Sequence, residues 1–360
     1  MKRLKKSIIL LTIISLGAFF FSLTNQVSIE ASSGDNNSIN YVHLKNTSNN
    51  LSTIYSTNYQ NKIYNQIAKL KKYNNYTIEH PLLITNPYGT NTTSVYMYFK
   101  TSDELQATYT IHCERYNDFS RTLNNNTLSG YTTNHEYFLV GAISGQINTI
   151  TVTLTNKQGK TVDTLSWSYN APSLQGGDQY LTVDCDDANT SSLSNGLYTV
   201  LGNDVTEDSE KQAYMRLYDN DGILRSEIPI ISYRSHRILF EDNTMYFSIS
   251  RTKIVGMDQT GYISRIYDTG NYKLHHDYIF DDNNNLLVLA SEKNAKTSED
   301  KIIMIEKDSG NITELVDLIE LLPNYYSTTS MPDGEEDLDW MHINSLALVD
   351  KTSLIISSRE

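Results

Sequence analysis

Residues 276–291, HDYIFDDNNNLLVLAS, run histidine, short apolar strand, acidic turn, second apolar strand. Residues 236–250, HRILFEDNTMYFSIS, and residues 342–358, HINSLALVDKTSLIISS, share that layout. The first two starts are 40 residues apart, the blade period of a β-propeller built from four-stranded sheets. The third lies 66 residues further on, and the insertion ELLPNYYSTTSMPDGEEDLDW (320–340) absorbs the surplus. YDNDG (218–222), MDQTG (257–261) and EKDSG (306–310) place glycine where tight hairpins need positive φ. The DNDG run lacks the remaining ligand positions of a calcium loop.

Upstream the pattern changes. SVYMYF (94–99), ATYTIH (107–112) and NTITVTLTN (148–156) alternate with a period of two, with Ile150, Val152 and Leu154 on one face and Thr151, Thr153 and Thr155 on the other. These strands predict an antiparallel β-sandwich over residues 76–172, closed by the Pro and Gly of NAPSLQGGD (170–178). A partial β-propeller then fills residues 178–360, so the fold class is all-β. Ahead of the sandwich, residues 32–75 read as a linker in which Tyr59, Ile63, Ile67 and Leu70 mark one amphipathic helix used for packing. Residues 1–31 read as a secretory signal: basic MKRLKK, apolar SIILLTIISLGAFFFS, and a cleavage point after Ala31. The expected location is periplasmic or extracellular, with membrane anchoring through an uncleaved signal as the alternative.

A formal charge of −13 and the lack of a basic stripe exclude nucleic acid as a partner. Cys113 and Cys185 have no metal-ligand spacing, and one pair makes no disulfide framework. If the repeat is structural, His236, His276 and His342 occupy equivalent positions and converge on one mouth of the propeller channel, as ligand and active sites do. The bland alternative is that polar residues recur because strand ends are wet. A third reading makes the same three histidines zinc ligands of a hydrolase. A fourth makes the chain a secreted, non-catalytic binding module.

TNPYGTNTTSVYMYFKTSDELQATYTIH (85–112), NHEYFLVGAISGQINTITVTLTNKQGKTV (134–162), HHDYIFDDNNNLLVLAS (275–291) and DWMHINSLALVDKTSLIISSR (339–359) together resemble the bacterial arylsulfate sulfotransferases, over roughly residues 80–360. The resemblance implies transfer of a sulfuryl group from an aryl sulfate donor to a phenolic acceptor, by a ping-pong route through a sulfohistidine and with no cofactor. It implies a β-sandwich followed by a six-bladed propeller in an exported, usually dimeric enzyme. His276, His342 and Arg359 correspond to catalytic positions that hold the sulfuryl group, and Asn344 and His275 to substrate-binding ones. Arg359 offers a permanently charged fork, and an imidazole can protonate the departing phenolate. The family's nucleophilic histidine lies in a later blade and no histidine follows His342. The expectation is therefore a C-terminally truncated chain, inactive by itself, whose missing blades a companion fragment could supply.

Overall fold

The computed structural model describes residues 28–31, 39–124, 130–177, 195–202 and 212–359. Most of the expected secretory signal, residues 1–27, lies outside them, as does Cys185. Among the described residues no helix is long and apolar enough to cross a membrane.

The first half contains β1 (Ser28–Ala31), β2 (Asn40–His43), α1 (Leu51–Ile54), α2 (Thr57–Tyr73), β3 (Leu82–Thr85), β4 (Val95–Cys113), β5 (Tyr116–Leu123), β6 (Thr132–Leu139), β7 (Ile147–Thr155) and β8 (Thr161–Asn170). The long β4 organises it. Its first part pairs with β3 and β6, its register shifts between Lys100 and Leu105, and its last part pairs with β5 and β7. One strand thus serves both layers of the sandwich, whose core holds Met97 and Phe99 together with Ile150, Val152, Leu154 and Trp167. The pairing is antiparallel except at Tyr41↔Leu83, where β2 meets β3 in parallel.

From residue 39 the stretch expected as a linker with one amphipathic helix also contributes a strand and a second short helix. β2 joins the sheet, Asn50 caps α1, and Ser56 caps α2. Tyr59, Ile63 and Ile67 of α2 are buried as their spacing predicts. Buried Gln60 donates to the carbonyls of Ile54 and Tyr88 and accepts from the Ile263 amide, so the helix bolts the sandwich to the second half. Burying that polar side chain is tolerable because its amide is fully hydrogen-bonded.

The second half is a propeller-like array. Its sheets, in chain order, are β9 (Tyr198–Val200), β10 (Ala213–Tyr218) and β11 (Leu224–Ile230); β12 (Ile238–Glu241), β13 (Thr244–Ser250), β14 (Lys253–Asp258) and β15 (Ile263–Asp268); β16 (Tyr272–Phe280), β17 (Leu286–Glu292), β18 (Lys301–Ile305) and β19 (Ile312–Asp317); and, after helices α3 (Leu318–Leu321) and α4 (Pro323–Tyr326), β20 (Ile343–Asp350) and β21 (Ser353–Ser358). The repeated apolar strands are the first pairs of the last three sheets, and the expected turns are the β10–β11, β14–β15 and β18–β19 hairpins. In two of these an aspartate gathers loop amides: Asp219 accepts from Asp221 and Ile223, and Asp258 accepts from Thr260 and Tyr262. Gly261 has φ +85°, and a Cβ there would meet Phe138 of the sandwich at 2.7 Å, so only glycine lets the β14–β15 turn dock.

A buried carboxylate completes the junction between halves. Glu227 accepts from Thr92 Oγ1 at 2.8 Å, from the Gln175 and Gly176 amides, and from Arg216 Nη1 at 3.1 Å. Removing one member of a buried, hydrogen-bonded ion pair leaves the other uncompensated. Glu227→Ala is expected to lower unfolding free energy by about 4 kcal/mol in urea titrations, and a loss indistinguishable from zero would contradict this role.

His135 gives a second test. It is wholly buried, stacks on Phe99 with centroids 4.4 Å apart, and lies 2.7 Å from Tyr137 Oη and 3.0 Å from Thr101 Oγ1. Burial pushes its pKa down to about 4. Because the unfolded chain binds this proton more readily, the contribution to stability is full above pH 6.5 and is lost as pH falls towards 4. His135→Gln should remove up to about 3 kcal/mol of the stability change between pH 7 and pH 4, read by urea titration at each pH, whereas an unchanged pH profile would contradict the assignment.

Candidate active site

Each of the last two sheets sends its first strand to the same place. Inside β16 the pairing register with β17 breaks between Leu274 and Tyr278, and this bulge holds His275, His276 and Asp277. His342 stands just before β20, and Glu299 lies in the β17–β18 loop. Three residues there adopt left-handed backbone although none is glycine: His276 at φ +42°, Glu299 at +55° and His342 at +45°. Such a conformation costs about 1–3 kcal/mol per residue and persists only where the surroundings enforce it, commonly at functional sites.

Asp277 provides the enforcement. Its side chain accepts from Arg237 Nη1 of the preceding sheet at 2.7 Å and from the Leu346 amide of the following sheet at 3.1 Å, while one oxygen also takes the Tyr278 amide. The Tyr278 hydroxyl donates to the Arg237 carbonyl. On the far side, Leu338 bonds back to Lys296, the Ile343 amide donates to the Glu299 carbonyl, and Trp340 Nε1 donates to Asp300 at 3.0 Å. The end of the 320–340 insertion is thereby pinned against the β17–β18 loop, and Asp339 and His342 meet Glu299.

His276 Nε2 lies 3.1 Å from His342 Nε2 and 3.1 Å from Glu299 Oε2. His342 Nδ1 lies 2.5 Å from Asp339 Oδ2 and 3.1 Å from Glu299 Oε2. Carboxylates only accept, so Nδ1 of His342 carries its proton and Nε2 presents a lone pair to the cluster. Burial works to raise the Glu299 pKa, but the His276 hydrogen bond and the neighbouring histidines outweigh it and hold it below the ordinary range. His275 sits behind, nine-tenths buried, with its pKa brought down to about 4 by burial. Among the described residues neither of its ring nitrogens makes a hydrogen bond, and Nδ1 is 3.9 Å from Glu299 Oε2.

The structure thus brings His275, His276 and His342 together. Arg359 stands at the rim, with Nη2 3.5 Å from Asp339 and its amide on the His342 carbonyl. Asn344 is exposed beside a register shift in β20, and no hydrogen bond joins it to the cluster among the described residues. The zinc trio of the alternative reading, His236, His276 and His342, is not what forms. His236 precedes β12 outside any bulge, its buried nitrogens lack hydrogen-bond partners, and no close grouping of metal-binding atoms among the described residues includes it. Burial and the Arg234 charge take its pKa down to about 3. Sequence reasoning missed Glu299 and Asp339. Asp339 was detectable as a carboxylate three residues before His342, whereas Glu299 meets the cluster only through the loop fold.

The arylsulfotransferase (ASST) family model matches residues 182–360, and the arylsulfotransferase Ig-like domain model matches residues 82–172. The chain belongs to the arylsulfotransferase family. Both matches follow the order of sandwich and sheet array, and the site of this arylsulfotransferase lies wholly inside the first of them. Among solved structures, a protein of unknown function from Bacteroides caccae aligns over 59% of this chain and 73% of its own length, at 11% identity and a TM-score of 0.23, too low to support any argument. The comparison with curated proteins finds no match.

Asp277 offers a direct check on how the site is built. Asp277→Ala removes the shared acceptor of Arg237 and the Leu346 amide and should cost about 2 kcal/mol. Thermal melts should show the loss, and a variant as stable as the parent would place the organising interaction elsewhere.

Proposed function

We propose that the chain binds the sulfuryl group of an aryl sulfate at His276, His342 and Arg359, for transfer to a phenol without a cofactor. The observation that supports this reading is the convergence of two imidazoles, 3.1 Å apart, on strained backbone beside an arginine. A sulfuryl group in flight needs fixed donors around its equatorial oxygens more than a strong base; His276 Nε2–H and the Arg359 guanidinium supply them, with His342 packed beside His276. In the first step the S–O bond to the aryl oxygen breaks, the electron pair leaves with the phenolate, and a site histidine protonates it. The S–N bond forms to a histidine that a companion fragment would have to supply, and the acceptor phenol later takes the sulfuryl group from that nitrogen while its proton returns to the site histidine. In this reading the exposed Asn344 is a substrate-binding position at the entrance, and the buried His275 backs His276. The basic and then apolar residues 1–22 support export, with donor and acceptor met outside the cytoplasm.

Glu299 modifies the proposal. Its carboxylate lies against His276 Nε2, the nitrogen that would face sulfuryl oxygens, and against His342 Nδ1, so an incoming anion meets a like charge. His43, His80, His112 and His135 belong to the sandwich half, and the nitrogens of His236 are buried, which leaves no other described histidine placed for in-line attack. Binding without turnover is therefore expected of this chain alone.

The test measures binding and hydrolysis of p-nitrophenyl sulfate. Glu299→Gln should tighten binding about tenfold, which corresponds to about 1.4 kcal/mol. His342→Asn, chosen because asparagine tolerates left-handed backbone, should weaken it by a similar factor. Equal affinities in all three proteins would remove the sulfuryl reading and favour a binding module for other ligands. Turnover by the chain that disappears in His342→Asn would instead make His342 the nucleophile.

A further inference from the structure

The cluster has a feature that sulfuryl binding does not account for. Two groupings of metal-binding atoms share Glu299, one with His275 and His276 and the other with Asp339 and His342, and among the described residues neither nitrogen of the buried His275 makes a hydrogen bond. Hydrogen bonds alone leave the arrangement unfinished. The single Nε2 proton of His276 must serve both Glu299 Oε2 and His342 Nε2, and His275 gains nothing. The metal-binding atoms of His275, His276 and Glu299 all lie within 4.8 Å of one another, as do those of Glu299, Asp339 and His342, and the two groups touch where His342 Nε2 stands 3.1 Å from His276 Nε2. Two ligands held at about 2.0–2.1 Å by a tetrahedral ion sit roughly 3.3 Å apart, so the close contacts are already at ligand spacing. His342 also has the orientation of a metal-bound histidine, with Asp339 holding Nδ1 at 2.5 Å and Nε2 turned inward.

We infer that His275, His276, His342 and Glu299 form a binding site for one divalent transition-metal ion of the zinc class, with Asp339 as the positioning residue for His342. Nitrogen and carboxylate donors in four-coordinate array suit zinc better than magnesium or calcium, which take oxygen ligands in larger number. One ion engages both contacting imidazoles, the Glu299 carboxylate and the orphan His275 together. This inference does not rest on sulfuryl transfer, although it uses the same side chains. The ion and the aryl sulfate place opposite demands on Glu299: the ion needs its charge, and the anion is repelled by it.

The experiment uses the full 360-residue chain, stripped with EDTA and titrated calorimetrically with ZnCl2, with CoCl2 followed in parallel by visible absorption. The expected result is one ion per chain, with the intense visible bands of four-coordinate cobalt. Glu299→Gln and His342→Asn should each weaken zinc binding by about tenfold or more, and Asp339→Asn by about tenfold. His112→Gln should leave it unchanged, because His112 and Asp118 form an exposed pair in the sandwich that could hold a stray ion. Melting curves identify any variant that fails to fold, and His275→Gln then provides the replacement. No stoichiometric binding, or equal affinity in the parent, Glu299→Gln and His342→Asn proteins, would overturn the inference. The two readings separate at Glu299→Gln, where zinc affinity should fall while p-nitrophenyl sulfate affinity rises. A rise without parent zinc binding removes the metal site alone, and zinc loss without a rise removes the sulfuryl reading alone.

Discussion

The candidate site depends on one buried carboxylate. Asp277 reaches Arg237 in the sheet before it and the Leu346 amide in the sheet after it, so a single side chain ties three successive sheets. The tie lies at the bulge of β16, where it fixes His275 and His276 on adjacent positions of a strand that could not otherwise direct both towards one neighbourhood. Leu346 lies four residues beyond His342, so the same bond sets the height at which β20 delivers its histidine. Glu227 has the corresponding part between sandwich and sheets, where it holds Thr92, Arg216 and the amides of the connecting segment. Both carboxylates are satisfied by several donors, the condition under which a buried charge organises structure rather than weakening it.

The electrostatics of the mouth are mixed. Arg359 and the imidazoles favour an anion, while Glu299 and Asp339 favour a cation or a proton. A site designed only for sulfate would leave out Glu299. Left-handed backbone at His276, Glu299 and His342 shows that all three are held in place against a local conformational preference. Glu299 is therefore as much a part of the built site as the two histidines.

Much of this was legible in the sequence. The recurring histidine, strand, acidic turn and strand located the sheets, because period-two apolar runs and glycine turns are local signals. His276 and His342 could be paired from the repeat, since equivalent positions in successive sheets approach a common axis. The same logic does not extend to His236, which has the layout but not the bulge; Asn344, named from the motif and not from the repeat, faces solvent. Glu299 was invisible because its contacts span 23 and 43 residues through an irregular loop that carries no periodic pattern. The amphipathic helix before the sandwich was legible from its spacing, but β2 was not: it is only four residues long, and its place in the sheet is fixed by pairing with β3 rather than by its own composition.

The central claim is that His276 and His342 share one carboxylate, with His342 held by Asp339 as the Nδ1–H form. Histidine side-chain 15N NMR measures this directly. The account predicts that the His342 ring is in the Nδ1–H form at neutral pH and that Glu299→Gln shifts the ring nitrogens of both His276 and His342. A His342 ring in the Nε2–H form, or ring nitrogens indifferent to Glu299, would contradict it.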